Sequence, residues 1–293
     1  MSWDLVISAT AVIDPAVGFV AEQYIDPNRL RRMDPLSAFA VAAARLATRA
    51  ARLGLASDRV APEVGVSFGT AYGCQATALR YAQRLVEHGA YFTNPIDFPD
   101  SIDGAPAAHM AMELKLGGPS VTHVDGHVAG EMALVHAALA VHGGRAKCMV
   151  VGGGEAPSPL AQRLTENCPL PERSAGAACL VLESSRAARE RGAPVLARLR
   201  GIGFGSDPET RFGRLPATAA SSSSALRGAL AQAGLDPDAV DRFAGAPVDG
   251  GSGGIADLAL DRIPALVRGD VRVVVHHATA SGGQIAALVL TNR

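Results

Sequence analysis

The stretch GPSVTHVDGHVAG, residues 118–130, leads from a short apolar strand through a turn into a long helix, and it decides the fold. We predict a strand over residues 120–124, a turn at Gly126 and a helix over residues 128–142. The helix is rich in alanine and apolar on all sides, which is typical of a helix buried between other layers. A strand that feeds a buried helix predicts a layered α/β architecture.

The same alternation of strand and helix extends along the chain. Apolar, β-branched runs predict further strands over residues 5–13, 64–67, 147–151, 177–183, 194–202, 271–276 and 286–291. Helical spacing and capping residues predict helices over residues 35–53, 75–88, 107–116 and 221–233. The glycines at 152–154 and 201–205 do not have the spacing of a phosphate-binding loop, so we expect tight turns at strand ends. A charged segment at 184–192 is the expected boundary between residues 1–185 and 186–293.

Composition limits the functions that are open to this chain. Its 293 residues suffice for one large domain or for two halves of about 150 residues each. Hydrophobic residues make up 48% and charged residues 19%, and the mean hydropathy is +0.17, so we expect a large core, a large protein interface or both. The net charge is -1 without a cluster of lysine and arginine, which excludes the electrostatic attraction that drives nucleic-acid binding.

The cysteines and the apolar runs indicate a cytoplasmic protein. Cys74, Cys148, Cys168 and Cys179 form no CxxC pair, and Cys148 and Cys179 lie in apolar runs where a cysteine is usually a small buried side chain. No apolar run reaches the roughly 18 residues of a membrane helix, and the N-terminus lacks the basic start and apolar run of a signal peptide. We therefore expect a reducing compartment and no membrane segment.

The 118–130 stretch resembles the nucleophile loop of β-ketoacyl synthases, where Gly-Pro-Ser leads through a short strand to an Ala-Cys pair at the start of a buried helix. Segments similar to this family follow in the family's order, at residues 64–70, 98–116, 146–155, 177–192 and 281–288. The resemblance implies a thiolase-like layered fold (αβαβα) with two pseudo-equivalent halves. Compared with the family, the C-terminal half is shortened, and the charged segment at 184–192 places the expected boundary between the halves at residue 185/186.

The chain departs from the family where the chemistry takes place. His127 occupies the position of the cysteine, and a neutral imidazole cannot replace a thiolate in durable acyl transfer. The place of the first catalytic histidine, residues 243–249, holds no histidine, and the segment with the lysine and second histidine is missing between Asp257 and Val271. The phenylalanine of the final turn is replaced by Ala280 or Ser281.

With these losses, the chain resembles the chain length factors of type II polyketide synthases. Such subunits lack the cysteine and pair with an active ketosynthase, and the acyl chain grows into a tunnel at the heterodimer interface. The resemblance implies an active ketosynthase and an acyl carrier protein as partners, and no cofactor or metal. The shortened second half indicates a divergent branch, such as the reducing systems that make polyenes.

The tunnel wall of the family corresponds here to a helix over Ile102 to Met112. We expect Ile102, Ala105, His109 and Met112 to face the acyl chain and to set its length by steric stop, although such a stripe is also typical of ordinary core. A catalytically silent homodimer is a further alternative.

Two enzymatic alternatives rest on single motifs. Residues 65–69 form a GxSxG string, so Ser67 with His276 or His277 would make a serine hydrolase. His127 could instead act as a general base in decarboxylation, or fill the space of the lost cysteine as a hydrogen-bonded core imidazole.

A metal site is a further alternative. His123, His127 and Glu131 have the four-residue spacing of metal ligands on one helix. The expected strand over 120–124 and the turn at Gly126 argue against a shared helix.

Overall fold

The computed structural model describes residues 3–56, 58–156, 158–159, 163, 175–206, 219–246, 253–280 and 282–292. The strands are β1 (Leu5–Ile13), β2 (Val64–Gly69), β3 (Ser120–His123), β4 (Cys148–Glu155), β5 (Gly176–Ser184), β6 (Ala197–Ser206), β7 (Arg242–Ala246), β8 (Val273–Thr279) and β9 (Gln284–Thr291). The helices are α1 (Pro27–Leu30), α2 (Pro35–Ala50), α3 (Gln75–His88), α4 (Ala105–Leu114), α5 (Ala129–His142), α6 (Ser185–Glu190), α7 (Ala219–Ala233), α8 (Gly253–Asp257) and α9 (Ile263–Arg268), with a π-helical segment (Leu258–Arg262) between the last two. Cys168, Ser281 and residues 247–249 lie outside the described residues.

The strand order contains an internal repeat. The sheet has nine strands in the order β3-β2-β4-β5-β1-β6-β9-β8-β7, and β1 meets β6 at its centre. Outward from β1, β5 and β4 pair antiparallel, and β2 and β3 follow in parallel. Outward from β6, β9 and β8 pair antiparallel and β7 follows in parallel. The two halves are therefore equivalent, and the described strands of the second half include no counterpart of β3.

Three hydrophobic clusters divide the chain into five layers. The inward faces of both half-sheets pack on α5 and on the segment of α8 and α9, with Leu180, Leu134 and Leu288 in this cluster. The outward face of the first half-sheet packs on α2 and α4. The outward face of the second packs on α7. Because successive strand residues point to opposite faces, Leu180 lies inward and Cys179 outward, as β-strand geometry requires.

The order of layers is helix, sheet, helix, sheet, helix, which confirms the thiolase-like αβαβα fold with a shortened second half. We keep the boundary at residue 185/186 as a proposal, because β5 ends at Ser184 and β6 begins at Ala197. No helix in the described ranges is both long enough and apolar enough to span a bilayer.

The glycines expected to form turns lie inside strands, so that prediction was wrong. β4 continues through residues 152–154 to Glu155, and β6 continues through Gly201 and Gly203 to Ser206. A Cβ atom on Gly203 would lie 1.8 Å from the carbonyl oxygen of Ala225, and one on Gly201 would lie 2.0 Å from that of Ala229. Glycine is therefore required because α7 packs directly on the backbone of β6.

Gly203→Ala is expected to lower the free energy of unfolding by about 1–3 kcal/mol, because the added methyl group would push α7 off the sheet. Gly205→Ala is the matched control on the same strand and face, since a Cβ there would meet its nearest atom at an ordinary 3.6 Å. Urea denaturation followed by circular dichroism measures both. Equal stability of the two variants would contradict the close packing of α7.

Candidate functional site

The position expected for the nucleophile lies at the start of the central helix. β3 ends at His123, a 3-10 turn spans Gly126–Val128, and α5 begins at Ala129. Gly126 has φ of +58°, a left-handed conformation that favours glycine. His127 in this turn is only 3% exposed. Val128 and Ala280 belong to one small buried cluster, so this turn packs against the end of β8 in the second half.

A buried acid–histidine pair lies one helical turn beyond His127. His276 on β8 and Glu131 on α5 are both fully buried, and His276 Nε2 lies 2.8 Å from Glu131 Oε1. Glu131 Oε2 and His276 Nδ1 find no hydrogen-bond partner within the described part of the chain. The pair joins the two halves across the central layer.

The backbone of α8 completes the surroundings of this pair. A Cβ atom on Gly254 would lie 1.8 Å from Glu131 Oε1, so a larger residue there would displace the carboxylate. Sequence reasoning did not find the pair, although it named both residues in other roles. The signal available was a charged residue in an Ala-rich apolar helix and a histidine in an apolar strand, each of which needs a partner when buried.

Other histidines near this region are held neutral. Burial lowers the pKa of His277, and the neighbouring His276 lowers it further. Burial also lowers the pKa of His136, with smaller contributions from His123 and Arg145. The rings of His123 and His136 lie 5.4 Å apart, and His123 Nδ1 lies 3.2 Å from Asp125 Oδ2.

The candidate metal ligands are dispersed. His123 is on β3, His127 is in the 3-10 turn and Glu131 is on α5, where it binds His276. No group of three possible ligands comes together among the residues described. The structure therefore gives the metal hypothesis no support.

The serine expected in a nucleophile elbow is a core residue of a strand. Ser67 is fully buried within β2, paired with Val121 on one side and Val151 on the other. An elbow requires the serine on an exposed strand-to-helix turn. His276, one of its two candidate partners, is bound to Glu131 instead. The geometry of Ser67 therefore does not support the serine hydrolase alternative.

The described cysteines are not activated thiols. Burial raises the pKa of Cys74, Cys148 and Cys179, so these side chains stay protonated at neutral pH. Burial of Cys148 and Cys179 was predicted from their apolar runs and is confirmed.

The turn after β2 is hydrogen-bonded to the end of β4. Glu155 Oε2 accepts a hydrogen bond from Thr70 Oγ1 at 3.1 Å, and Glu155 Oε1 accepts one from the Ala71 amide at 2.5 Å. Thr70 Oγ1 in turn accepts a bond from the amide of Gly73. These bonds fix the Gly-Thr turn beside the N-terminal end of α3.

A second candidate site is a cavity of about 1000 Å³ beside α4. Ala105, His109 and Met112 lie on one stripe of α4 and line the cavity. The helix begins at Ala105, so Ile102 precedes it and does not line the cavity; it is 47% exposed. The helix therefore begins three residues later than predicted, at Ala105 and not at Ile102. The opposite stripe of α4, which includes Met110, packs in the outer core.

One polar pair lies in the wall of this cavity. His109 Nε2 lies 2.5 Å from Asp100 Oδ1, and the two side chains are 14% and 11% exposed. Both residues line the cavity, whose other walls include Met33, Ala108 and Leu116.

Several large apolar side chains are exposed on the same half. Val86 lies near the end of α3 and is exposed to solvent. In the segment after this helix, Tyr91, Phe92 and Phe98 are exposed too, and Tyr91 is 92% exposed. β3 forms one edge of the sheet. Exposed apolar clusters of this kind mark protein interfaces more often than free surface.

Comparison with known sequences identifies a family over the first half. A sequence model described as "Beta-ketoacyl synthase, N-terminal domain" matches residues 13–168. Nodulation protein E of Rhizobium sp. (strain N33) is 31% identical over 250 residues, which cover 79% of this chain and 61% of that protein. The 3-oxoacyl-[acyl-carrier-protein] synthase 2 of Staphylococcus aureus (strain N315) is 28% identical over 241 residues, 75% of this chain. The chain spans 58% of the length of the latter relative.

Comparison with solved structures finds the same fold over the whole chain. The ishigamide ketosynthase/chain length factor matches with a TM-score of 0.82 at 19% identity, over 99% of both chains. The ketosynthase ApeO in complex with its chain length factor ApeC from Xenorhabdus doucetiae matches with a TM-score of 0.76 at 15% identity, over 99% of this chain and 98% of that one. An acyl carrier protein complex with its ketosynthase, AntDE:AntF, matches with a TM-score of 0.82 at 19% identity over both full chains.

Proposed function

This chain belongs to the β-ketoacyl synthase family, and from that premise we propose that it is a non-catalytic subunit of the chain length factor kind. It pairs with an active ketosynthase, forms part of the wall of the acyl tunnel and limits the length of the chain. The observation that carries the proposal is His127 in the buried turn before α5, where the family resemblance implies a cysteine. An acyl thioester cannot form there, so the covalent intermediate belongs to the partner.

The exposed apolar surface supports a protein partner. Val86, Tyr91 and Phe92 would be costly to leave in water, and burying apolar area against a partner contributes about 25 cal/mol per Å². The free edge of β3 offers backbone groups to a second chain.

The cavity beside α4 supports an acyl ligand. Its stripe of Ala105, Ala108 and Met112 is apolar, and volumes of a few hundred to about 1000 Å³ are typical of small-molecule sites. Ile102, at the entrance to the same helix, is proposed as a tunnel residue that the partner covers. Exposed cations at the cavity, Arg32 and Lys115, form no ion pair with described residues and favour an acidic carrier protein. We place the assembly in the cytoplasm, where free cysteines stay reduced.

The test is co-expression with an active ketosynthase from the same genome, followed by size-exclusion chromatography and intact mass spectrometry. We expect a 1:1 heterodimer that carries acyl groups only on the cysteine of the ketosynthase. Met112→Trp should shorten the product by filling the cavity, and Met112→Ala should lengthen it. Leu260→Trp, at an exposed position outside the cavity lining, is the control for added bulk. The proposal is wrong if this chain does not bind the ketosynthase, or if it is itself acylated at Ser67 or His127.

A decarboxylase that uses His127 is the second candidate, favoured by the buried Glu131–His276 pair one turn away. His127→Gln separates the two functions, since glutamine cannot act as a general base. The non-catalytic subunit should keep its product profile with this variant. A decarboxylase should lose its release of carbon dioxide from a carboxyacyl thioester.

A further inference from the structure

We propose that the Asp100–His109 pair makes the cavity beside α4 selective for acyl chains that carry a hydroxyl group, over saturated chains of equal length. The inference rests on the proposed function, because it names the chemical class of the chain in that cavity. Its basis is a mostly buried polar pair that lies beside the apolar side chains of Ala105, Ala108 and Met112 in the wall of the cavity.

The carboxylate of Asp100 fixes the hydrogen-bonding pattern of the imidazole. A carboxylate can only accept, so His109 Nε2 donates its proton to Asp100 Oδ1 over 2.5 Å. Nδ1 has no bonding partner within the described ranges. A hydroxyl group can form a hydrogen bond with this nitrogen, whereas a methylene group cannot.

The other polar groups along the cavity are committed or exposed. Glu113 is bound by Arg29 at 2.7 Å and by Arg45 at 2.8 Å. Asn28, Arg32 and Lys115 are exposed and can be hydrated when the cavity is filled. Among the polar groups described along the cavity, His109 is therefore the mostly buried one whose hydrogen bonding depends on what the cavity holds.

The expected selectivity follows from the cost of leaving a partly buried polar atom without a hydrogen-bond partner. A saturated chain would displace water from Nδ1 and leave it unbonded, whereas a hydroxylated chain would restore the bond. Sites built to hydrogen-bond a hydroxyl group discriminate against analogues that lack it. For this one partly buried contact we expect a ratio of dissociation constants of about 10 to 100.

The experiment measures binding to the full chain by isothermal titration calorimetry with synthetic probes. The probes are decanoyl N-acetylcysteamine thioester and its 3-, 5- and 7-hydroxy isomers. We expect at least one hydroxy isomer to bind about 10 to 100 times more tightly than the saturated probe. Met112→Ala should change the affinity for all probes alike, because Met112 offers no donor or acceptor of comparable strength.

Variants of the pair separate hydrogen bonding from packing. His109→Leu should abolish the preference, and His109→Gln should retain part of it through its amide oxygen. Asp100 is a positioning residue, so Asp100→Asn should keep the preference and Asp100→Leu should reduce it. The ratio between probes is the readout, because a purely structural role would shift both affinities together.

Three results would overturn the inference. Equal affinity for saturated and hydroxylated probes would remove the selectivity. A preference that survives His109→Leu would show that His109 is not its source. Failure of all probes to bind would remove the cavity as an acyl site. None of these results affects the 1:1 assembly with the ketosynthase, which tests the subunit role separately.

Discussion

Replacing His276 with leucine is expected to lower the free energy of unfolding by about 3–5 kcal/mol, because Glu131 would keep a buried charge without a partner. Folded domains are stable by only about 5–15 kcal/mol, so a large share of the molecules would be unfolded or aggregated. Urea denaturation at pH 7, followed by circular dichroism, measures the loss. His88→Leu is the control, because His88 lies on the surface beside exposed Glu87 and its loss should leave the urea midpoint unchanged.

The double variant His276→Leu with Glu131→Leu distinguishes a buried charge from lost packing. Removing both partners leaves no unpaired charge, so most of the stability should return. A single variant as stable as the wild type would show that Glu131 is neutral or hydrated in the fold. A double variant no better than the single one would assign the loss to packing against Gly254.

A second large loss of stability is expected when Arg191 is replaced. Its side chain forms hydrogen bonds with several separate elements of the first half. Its Nε and one terminal nitrogen bind the carboxylate of Glu183 at 2.9 and 2.5 Å, and the Glu183 side chain is 1% exposed. The guanidinium also donates to the carbonyl of Ala51, at the end of α2, and to Ser8 Oγ on β1 at 3.3 Å. Arg191→Met should therefore cost about 3–5 kcal/mol, since it leaves the carboxylate buried and unpaired.

Arg186→Met is the matched control for this variant. Arg186 is paired with Glu190 on the surface of α6, where both side chains are well exposed, so its replacement should not change the urea midpoint measurably. Arg191→Lys should recover part of the loss, because lysine restores the charge without the two-pronged geometry. Equal midpoints for Arg191→Met and Arg186→Met would contradict the role of this network.

Local signals in the sequence were sufficient for several elements. β1 and α3 begin and end at the predicted residues, since Asp14-Pro15 stops the strand and Gly89 ends the helix with a positive φ. The buried central helix was also predicted to within one residue at its start, because its apolar composition has no polar face. These features depend on neighbours within a few residues.

The features that the sequence did not predict depend on distant contacts. Gly201 and Gly203 look like turn residues until α7 is packed on them. Glu131 and His276 are 145 positions apart, so no spacing rule links them. Ile102 was assigned to a helix that begins three residues later, at Ala105. The tunnel role of Ile102, Ala105, His109 and Met112 stays a prediction.

The strand order has a consequence for how such a chain can change over generations. β3 and β7 lie at opposite edges of the sheet, so an insertion or deletion beside β7 leaves the hydrogen-bonded pairing of β3 with β2 intact. The edge at β3 can therefore stay under selection while the length of the chain at the other edge drifts.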